Sequence, residues 1–406
     1  MNRVFVFMLF TFFATSLFAE EKFRLGIIGT TTSHVPAFVS VFHAPNAGTP
    51  FDQFRVVAAY PGGAPDNPPS WNRVEQYAGE LEKQGIKLYP TIEAMLPEVD
   101  GILLTSVDGR LHLEQAKPVI AAGKPMFIDK PMAASLADAL EIFRLADEKK
   151  VPVFSASSLR FSAGIQKMRN EQPLGKILGA VTRSPCEIND KHPDLFWYGI
   201  HGVEMLFTLM GSGCQTVQRT QTAGTEHVVG VWNGGRIGTF RGMRAGKPDY
   251  GAFVFGEKGN ADAGGYDGYK PLVEEICKFF QSGKAPFDSQ ETIEIIAFMV
   301  AADVSQQLGG MPVSIAETIE KAKNEVVIPV TLQVSPDGKI QMKEATKIMG
   351  VSLDALPLLL NELTADKPNH RVKVILRAEK GTSHDIVLGV CNNLGKAVLA
   401  DFLYER

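Results

Sequence analysis

The chain has 406 residues, a formal net charge of −4 and a sequence pI near 6.1. Hydrophobic residues make up 45 % and charged residues 21 %. This composition is typical of globular proteins and excludes a disordered chain, a collagen and a multi-span membrane protein. The length predicts two or three domains. Because no basic excess is available to neutralise phosphates, nucleic acid is not an expected partner.

Residues 1–19 have the layout of a secretory signal. Arg3 is followed by the apolar run Val4–Phe13, and small residues lead to Ala19, after which cleavage is expected. The alternative is a retained anchor helix, but the run is shorter than the roughly 20 residues that span a bilayer. The sequence therefore predicts a periplasmic or extracellular protein. The lone Arg3 excludes a twin-arginine signal, so the chain would cross the membrane unfolded and without a nucleotide.

Strands alternate with helices over residues 22–150, which predicts a doubly wound parallel sheet. The predicted strands are Lys22–Ile28, Phe54–Tyr60, Asp100–Ser106, Pro125–Asp129 and Val151–Ser155, and the predicted helices are Val74–Gln84, Leu111–Ala122 and Ser135–Lys150.

Residues 151–319 form a second predicted domain, of the α+β class with a large open antiparallel sheet. Its predicted strands are Ile177–Glu187, Ser212–Thr222, His227–Trp232, Arg236–Arg241 and Ala252–Gly256, and helices follow at Tyr269–Gln281 and Gln290–Leu308.

Residues 326–406 form a third, small α/β unit. Its predicted elements are strands at Val326–Val334, Val372–Ala378 and Ala397–Tyr404, and helices at Leu353–Leu363 and Ser383–Asn393. The four cysteines are too scattered for a zinc site, and we expect most of them to be core residues: Cys186, Cys214, Cys277 and Cys391. The sequence leaves open whether two of them form a disulfide.

The turn after the first predicted strand lies where a dinucleotide-binding fold has its glycine-rich loop. A complete G-x-G-x-x-G pattern would have glycine at 29, 31 and 34, but only Gly29 is present, followed by Thr31 and His34. Hydroxyl and N–H groups of this turn could still hold an anion at the helix N-terminus. The alternative is a helix cap without a ligand. The candidate cofactor-binding residues are Gly29, Thr30, Thr31, Thr32 and Ser33.

The second predicted strand ends in Tyr60 and Pro61 instead of the acid that holds the adenosine ribose. The next carboxylate along the chain is Asp66, in a proline-rich loop. The sequence therefore predicts a dinucleotide-like fold with a weakened nucleotide site.

Two residues are candidates for acid–base chemistry. Lys130, in Asp129-Lys130-Pro131, follows a parallel strand at the sheet edge where ligands bind, although it could also be an exposed loop lysine. His201 and Glu204 are three residues apart on one face of a predicted helix, which suits a proton-transfer pair. The alternative for His201 is an interior packing role, and the spacing is too weak to indicate a metal.

Two stretches resemble the Gfo/Idh/MocA oxidoreductase family, and the resemblance covers residues 22–319. Asp100–Pro131 is similar to the family's run of strand, histidine segment and Lys-Pro, with His112 and Lys130 on the matching positions. Tyr198–Gly211 resembles its active-site helix, with His201 on the histidine. The family's acid four residues earlier is Trp197 here.

The resemblance implies NAD(P)-dependent hydride transfer on a sugar, inositol or related polyol. Lys130 and His201 would then carry the hydroxyl proton, and Thr105, His112 and Lys130 would line the cofactor cleft. It also implies a homo-oligomer formed through the open sheet. The cofactor would be NAD or NADP, although the glycine motif is incomplete.

Residues 326–404 resemble the periplasmic domain of ExbD/TolR-type proteins, which implies an envelope protein partner. The alternative is an ordinary α/β appendage. For the whole chain, the sequence favours an exported oxidoreductase. The alternatives are a non-redox carbohydrate-binding or scaffold protein that kept the fold and lost the cofactor, and a lyase or hydrolase.

Overall fold

The structure is a computed structural model that describes residues 22–45, 48–344, 347–363, 370–379, 381–394 and 398–404. The predicted signal sequence at residues 1–19 lies outside the described residues. No helix among the described residues is long and apolar enough to cross a membrane.

The first sheet is parallel throughout, with strand order β3-β2-β1-β4-β5-β6 in the described residues. Its strands are β1 (Phe23–Ile28), β2 (Phe54–Tyr60), β3 (Lys87–Leu88), β4 (Gly101–Leu104), β5 (Met126–Asp129) and β6 (Val153–Ala156). The helices are α1 (His34–Phe42), α2 (Pro68–Trp71), α3 (Val74–Lys83), α4 (Ile92–Met95), α5 (His112–Ala121), α6 (Leu136–Lys149) and α7 (Ala163–Asn170).

Every residue of β4, β5 and β6 is buried, because one hydrophobic cluster covers each face of the sheet. The Rossmann-like prediction is confirmed. The sixth strand carries the first sheet to Ala156, past the predicted domain limit at 150.

The second sheet has strand order β12-β11-β7-β10-β9-β8-β13. Its elements are β7 (Ile177–Pro185), α8 (Ile200–Met210), β8 (Cys214–Thr222), β9 (Thr225–Trp232), β10 (Ile237–Met243), β11 (Gly251–Gly256), β12 (Gly259–Gly264), α9 (Lys270–Ser282), α10 (Ser289–Gln307), β13 (Val313–Ser314) and α11 (Ile315–Lys323).

This sheet is mixed and not purely antiparallel as predicted, since β7 and β10 pair in parallel. The helix α8 follows β7 and lies against both strands, so the chain returns to the sheet by a crossover instead of a hairpin. Helix α9 returns to the first domain, where Leu272, Ile276 and Phe280 join the cluster under β1 and β2.

The third sheet has strand order β16-β15-β14-β17-β18. Its elements are β14 (Val326–Val334), β15 (Ile340–Glu344), β16 (Lys347–Val351), α12 (Leu356–Glu362), β17 (His370–Ala378), α13 (His384–Asn393) and β18 (Val398–Tyr404). The sequence analysis missed β15 and β16. The four cysteines are free and buried, and none of them forms a disulfide.

Candidate functional site

A cavity of about 350 Å³ lies between the first and second domains, where β1 and β5 end. The first domain contributes the start of α1 and Lys130, and the second contributes α8 and the loops around Tyr198 and Tyr250. Its walls are Thr32, Ser33, His34, Pro69, Arg73, Val107, Lys130, Ser158, Leu159, Glu187, Trp197, Tyr198, His201, Tyr250, Tyr266 and Tyr269. The structure therefore brings together Lys130 and His201, which the sequence places 71 positions apart.

Lys130 is nearly enclosed, with 8 % of its surface exposed. Its ammonium nitrogen lies 5.6 Å from the centre of the Tyr198 ring. Burial lowers the pKa of Lys130, Asp129 opposes that change, and the charge of Arg73 adds to it. A lysine with a lowered pKa exchanges protons more readily near neutral pH than an exposed one.

His34 and Asp129 form a buried pair beside Lys130. His34 Nδ1 lies 2.6 Å from Asp129 Oδ2. Burial alone would raise the pKa of Asp129, but the charge and hydrogen bond of His34, together with Lys130, hold it below its ordinary value. The carboxylate accepts the Nδ1 proton, which orients the ring and leaves Nε2 as the atom that can exchange a proton with a ligand. Sequence reasoning treated His34 only as a missing glycine.

His201 is held by Ser157, whose Oγ lies 2.7 Å from Nδ1. The same hydroxyl oxygen accepts the N–H of Leu159, so Ser157 ties the ring to the start of the next turn. When the hydroxyl donates to Nδ1, the ring proton lies on Nε2. Burial lowers the pKa of His201 well below its ordinary value, and the charges of Lys130 and His34 lower it further. His201 is therefore a neutral imidazole at neutral pH.

The predicted pairing of His201 with Glu204 is wrong. Glu204 Oε1 accepts from Arg160 Nε at 2.5 Å, and Arg160 Nη1 also binds Glu291 at 2.5 Å. Because a buried arginine needs carboxylate partners, Glu204 points into this interior network instead of along the helix face towards His201. The actual partner, Ser157, lies 44 residues earlier in the chain.

Tyrosines form another part of the cavity wall, next to both histidines. The rings of Tyr269 and His34 are 4.7 Å apart, and those of Tyr250 and His201 are 5.7 Å apart. Burial raises the pKa of Tyr250 to about 12, and nearby tyrosines and Glu187 contribute, so its hydroxyl stays protonated. Protonated hydroxyls on flat rings suit ligands that carry hydroxyl groups on an apolar frame.

The threonines of the predicted cofactor-binding turn use their hydroxyl groups in hydrogen bonds within the protein. Thr30 and Thr31 are fully buried. Thr30 Oγ1 donates to the carbonyl of Val74 at 3.0 Å, and Thr31 Oγ1 accepts the N–H of Val107 at 2.7 Å. Thr31 therefore bridges the loops after β1 and β4, across the crevice in which a dinucleotide of this fold lies.

The segment Pro61–Val74, which we call the crossing segment, runs over the same crevice. Arg110, in the loop after β4, holds Asp66 of the segment through two nitrogen–oxygen contacts of 2.9 and 2.8 Å. Asn67 Nδ2 donates to Asp108 at 2.8 Å. Asn189, from the second domain, donates to Asn67 at 3.0 Å. Both acids, Arg110 and Asn67 are buried, so these contacts form a cross-link inside the protein.

Two other predicted cofactor residues hold loops together. Thr105 Oγ1 donates to the carbonyl of Gly29 at 2.9 Å, and His112 lies between the carbonyls of Ser106 and Met132 at 2.7 and 3.1 Å. Both residues are fully buried. Of the predicted cofactor residues, Thr32, Ser33 and Lys130 line the cavity, and the others lie behind it.

These residues do not fit a bound NAD(P) in this arrangement. The hydroxyls that would meet the pyrophosphate bond within the protein, and Asp66, the first carboxylate after β2, is paired with Arg110. A second cavity of about 660 Å³, lined by Tyr60, Trp71 and His384, lies on the far side of the crossing segment. The segment thus separates two spaces that one dinucleotide would have to join. The described residues contain no cluster of three or more groups suited to hold a metal.

The parallel sheet and its covering helices define a Rossmann-type first domain. Residues 23–157 match the family model described as the oxidoreductase family with an NAD-binding Rossmann fold, Gfo/Idh/MocA. Residues 293–402 match the model described as biopolymer transport protein ExbD/TolR. The first region is thus similar to the Gfo/Idh/MocA family, and the C-terminal region is similar to ExbD/TolR-type proteins. Both resemblances are confirmed.

Two known proteins are similar in sequence over parts of the chain. An uncharacterized protein of Saccharomyces cerevisiae is 23 % identical over 284 residues, which cover 62 % of this chain and 76 % of the yeast protein. A 1,5-anhydro-D-fructose reductase of Ensifer adhaerens is 32 % identical over 106 residues, 25 % of this chain and 32 % of the reductase.

Solved structures show the same fold at low identity. A probable dehydrogenase from Thermotoga maritima has a TM-score of 0.61 at 20 % identity and covers 73 % of this chain and 99 % of its own. A myo-inositol dehydrogenase from Lactobacillus casei, in complex with NAD(H) and myo-inositol, has a TM-score of 0.58 at 16 % identity, with coverages of 72 % and 96 %.

Proposed function

We propose that the chain binds a sugar-like polyol in the cavity between its first two domains and transfers protons to and from it. The observation that carries the proposal is the convergence of Lys130, His34 and His201 on one cavity walled by tyrosines. Neighbours of the same fold include a structure bound to myo-inositol, which supports a ligand of this chemical class.

The three side chains have different proposed roles in the proton transfer. His34, oriented by Asp129, is the candidate base through Nε2. Lys130 is the candidate acid, and its ammonium group would protonate or polarise a carbonyl oxygen of the bound sugar. His201 would donate a hydrogen bond from Nε2 and orient the ligand. For a keto-polyol, a proton would leave the carbon beside the carbonyl as the oxygen gains one, and the enediol would be reprotonated in reverse.

The test is binding followed by solvent exchange. Calorimetric titration of the full chain with myo-inositol, glucose and their keto derivatives should reveal saturable binding. Proton NMR in D₂O should then show loss of the signal beside the carbonyl of a bound keto-polyol. If no polyol binds at millimolar concentrations, the proposal is wrong.

A second candidate is NAD(P)-dependent hydride transfer on the same polyol. It is favoured by the family match at residues 23–157 and by Lys130 at the end of β5. It requires displacement of the crossing segment. Titration with NAD, NADP and their reduced forms separates the candidates, because the first predicts no binding and the second requires it.

We also propose that the protein is exported to the periplasm or the cell exterior, as the signal layout of residues 1–19 predicts. Protein isolated from its native cell should then begin near Glu20. An intact Met1 in a cytoplasmic fraction would contradict export. In that compartment the ExbD/TolR-type module would bind an envelope protein.

A homo-oligomer through the second sheet is the remaining proposal. The open face of this sheet exposes Val181, Phe253, Phe255 and Ile237, and the rings of the two phenylalanines contact each other. Val181 pairs with Phe253 in register, so their side chains share one face. An apolar patch of this kind commonly marks a protein interface. Light scattering of Phe253→Glu against the unaltered chain tests it, with a monomer expected for the variant alone.

A further inference from the structure

The cavity contains more positive than negative charge. Arg73 and Lys130 line one side, whereas the carboxylate among its walls is that of Glu187. Arg73 lowers the pKa of Lys130 and acts in the same direction on Tyr198, so its charge reaches both groups. Glu187 raises the pKa of Tyr198 and Tyr250, after burial, which puts it near the tyrosine wall.

Arg73 has no carboxylate partner in the described part of the chain. Its Nε and Nη2 donate to the carbonyl of Pro69 at 3.1 and 2.7 Å, and the residue is half-buried. The buried arginines of the described residues provide a contrast, since Arg110, Arg160 and Arg219 are each held by two or more carboxylates. A guanidinium group suits bidentate binding of a carboxylate or phosphate.

Lys130 provides a second, independent observation. It is more than nine-tenths buried, lines the cavity and forms no ion pair within the described residues. Asp129, its neighbour in sequence, is instead paired with His34 through Oδ2. A buried ammonium group without a bonded counter-charge is costly, so its counter-charge is expected to come with the ligand.

We infer that the ligand is an acidic sugar, with an anionic group held by Arg73 and Lys130 and hydroxyl groups turned towards Glu187 and the tyrosines. This inference rests on the proposed function and specifies its substrate class. The anion is a carboxylate or a phosphate ester, both of which a guanidinium binds in the same way. The crossing segment thereby has two roles, since it closes the dinucleotide crevice and brings Arg73 to the cavity.

The test compares matched ligands on the full chain by calorimetry. Glucose, glucuronate, gluconate and glucose 6-phosphate differ in the presence and type of the anion. We expect at least one acidic sugar to bind roughly tenfold or more tightly than glucose, as charge-assisted hydrogen bonds allow. Whether the sugar carboxylates or glucose 6-phosphate bind more tightly identifies the anionic group.

The variant Arg73→Gln should remove this preference, measured as the ratio of the affinities for the acidic sugar and for glucose. The control is Arg144→Gln on α6, where the arginine pairs with Glu141 and Glu148 at the surface. Equal affinity for glucose and all three acids, or a preference that survives in Arg73→Gln, would overturn the inference and leave the proposed function standing. If none of the four ligands and no other polyol binds, both fail.

Discussion

The dinucleotide crevice and the cavity beside it lie at the same edge of the first sheet, and their polar groups are used differently. In the crevice, Thr30, Thr31 and Asp66 all bond to other parts of the protein. In the cavity, Lys130 and Arg73 have no bonded carboxylate within the described residues. Buried polar groups that are satisfied internally rigidify a structure, whereas unsatisfied ones indicate a ligand.

This difference suggests how a nucleotide-binding fold can keep its chemistry after its cofactor site is closed. The proposed acid–base groups lie directly after β5 and on α1 and α8, whose positions depend on the packing of the two domains. The cofactor site depends on three loops, after β1, β2 and β4. A change in the turn after β1 or in the loop after β2 therefore alters the crevice and leaves the cavity.

The largest expected effect is on the cavity. Replacing Lys130 by alanine should lower the rate of solvent exchange by roughly 10²–10⁴, the range for a positioned acid or base. The measurement is NMR exchange with the best keto-polyol at saturation. Lys117→Ala is the control, since that lysine is exposed and pairs with Glu114 on α5. A near-normal rate in a folded Lys130→Ala variant would exclude Lys130 from the chemistry.

The next effect concerns the crevice. Asp66→Ala removes a carboxylate whose side chain is 3 % exposed and leaves part of Arg110 unpaired. Breaking a buried pair from one side costs about 3–5 kcal/mol of unfolding free energy, and the remaining partner Asp108 favours the lower end. Urea unfolding measures it.

The control for Asp66 is Glu148→Ala, which breaks an exposed pair with Arg144 and should cost only about 0.3–0.5 kcal/mol. The variant Thr31→Gly adds a second measurement, because it restores the glycine of the nucleotide motif. It should not restore NAD binding while the crossing segment is held by Arg110. Tight NAD binding by Thr31→Gly alone would mean that the segment does not close the crevice.

The elements of the first sheet could be predicted well from the sequence, and the contacts that close the crevice could not. Periodic apolar segments predicted β2 with the observed bounds and α6 within a residue at each end. Helix α2 was missed, because Pro68-Pro69-Ser70-Trp71 has loop composition and the helix is held by its neighbours. The partners of Asp66 and His201 lie 44 residues away in each case, beyond the reach of local patterns.

His34 could have been found earlier. The sequence places His34 just after β1 and Asp129 at the end of β5. These two parallel strands are separated in the sheet by β4 alone. Because the carboxyl ends of parallel strands share one edge, their proximity was predictable. The tyrosine wall was not, since Tyr250, Tyr266 and Tyr269 lie on irregular loops.

The third prediction concerns pH. The native pKa of His201 lies well below that of the unfolded chain, because of burial and then of Lys130 and His34. Below pH about 6.5 the unfolded state therefore binds more protons, and the stability present above that pH is lost as the pH falls towards the native pKa. His201 alone can contribute a slope of at most about 1.4 kcal/mol per pH unit.

Unfolding free energies of the unaltered chain and of His201→Gln between pH 7 and pH 5 test this sign. The variant should lose less stability over that interval, because glutamine takes up no proton. His227→Gln serves as the control, since that side chain is exposed on β9. Identical slopes in the chain and in His201→Gln would mean that His201 is accessible to protons in the native state.

The smallest expected effect is at the contact between the crossing segment and the third domain. The rings of Trp71 and His384 stack with centres 5.1 Å apart and planes 5° from parallel. Such aromatic pairs contribute about 0.5–1.5 kcal/mol beyond their buried area. A double-mutant cycle of Trp71→Ala and His384→Ala in urea should give a coupling energy in that range, because either change alone removes the same contact. Polyol binding should be unchanged in all three variants, since neither ring lines the first cavity. Additive single effects would mean that the third domain does not rest on the crossing segment in solution. The crevice would then be closed by Asp66, Asn67 and Thr31 without help from the third domain.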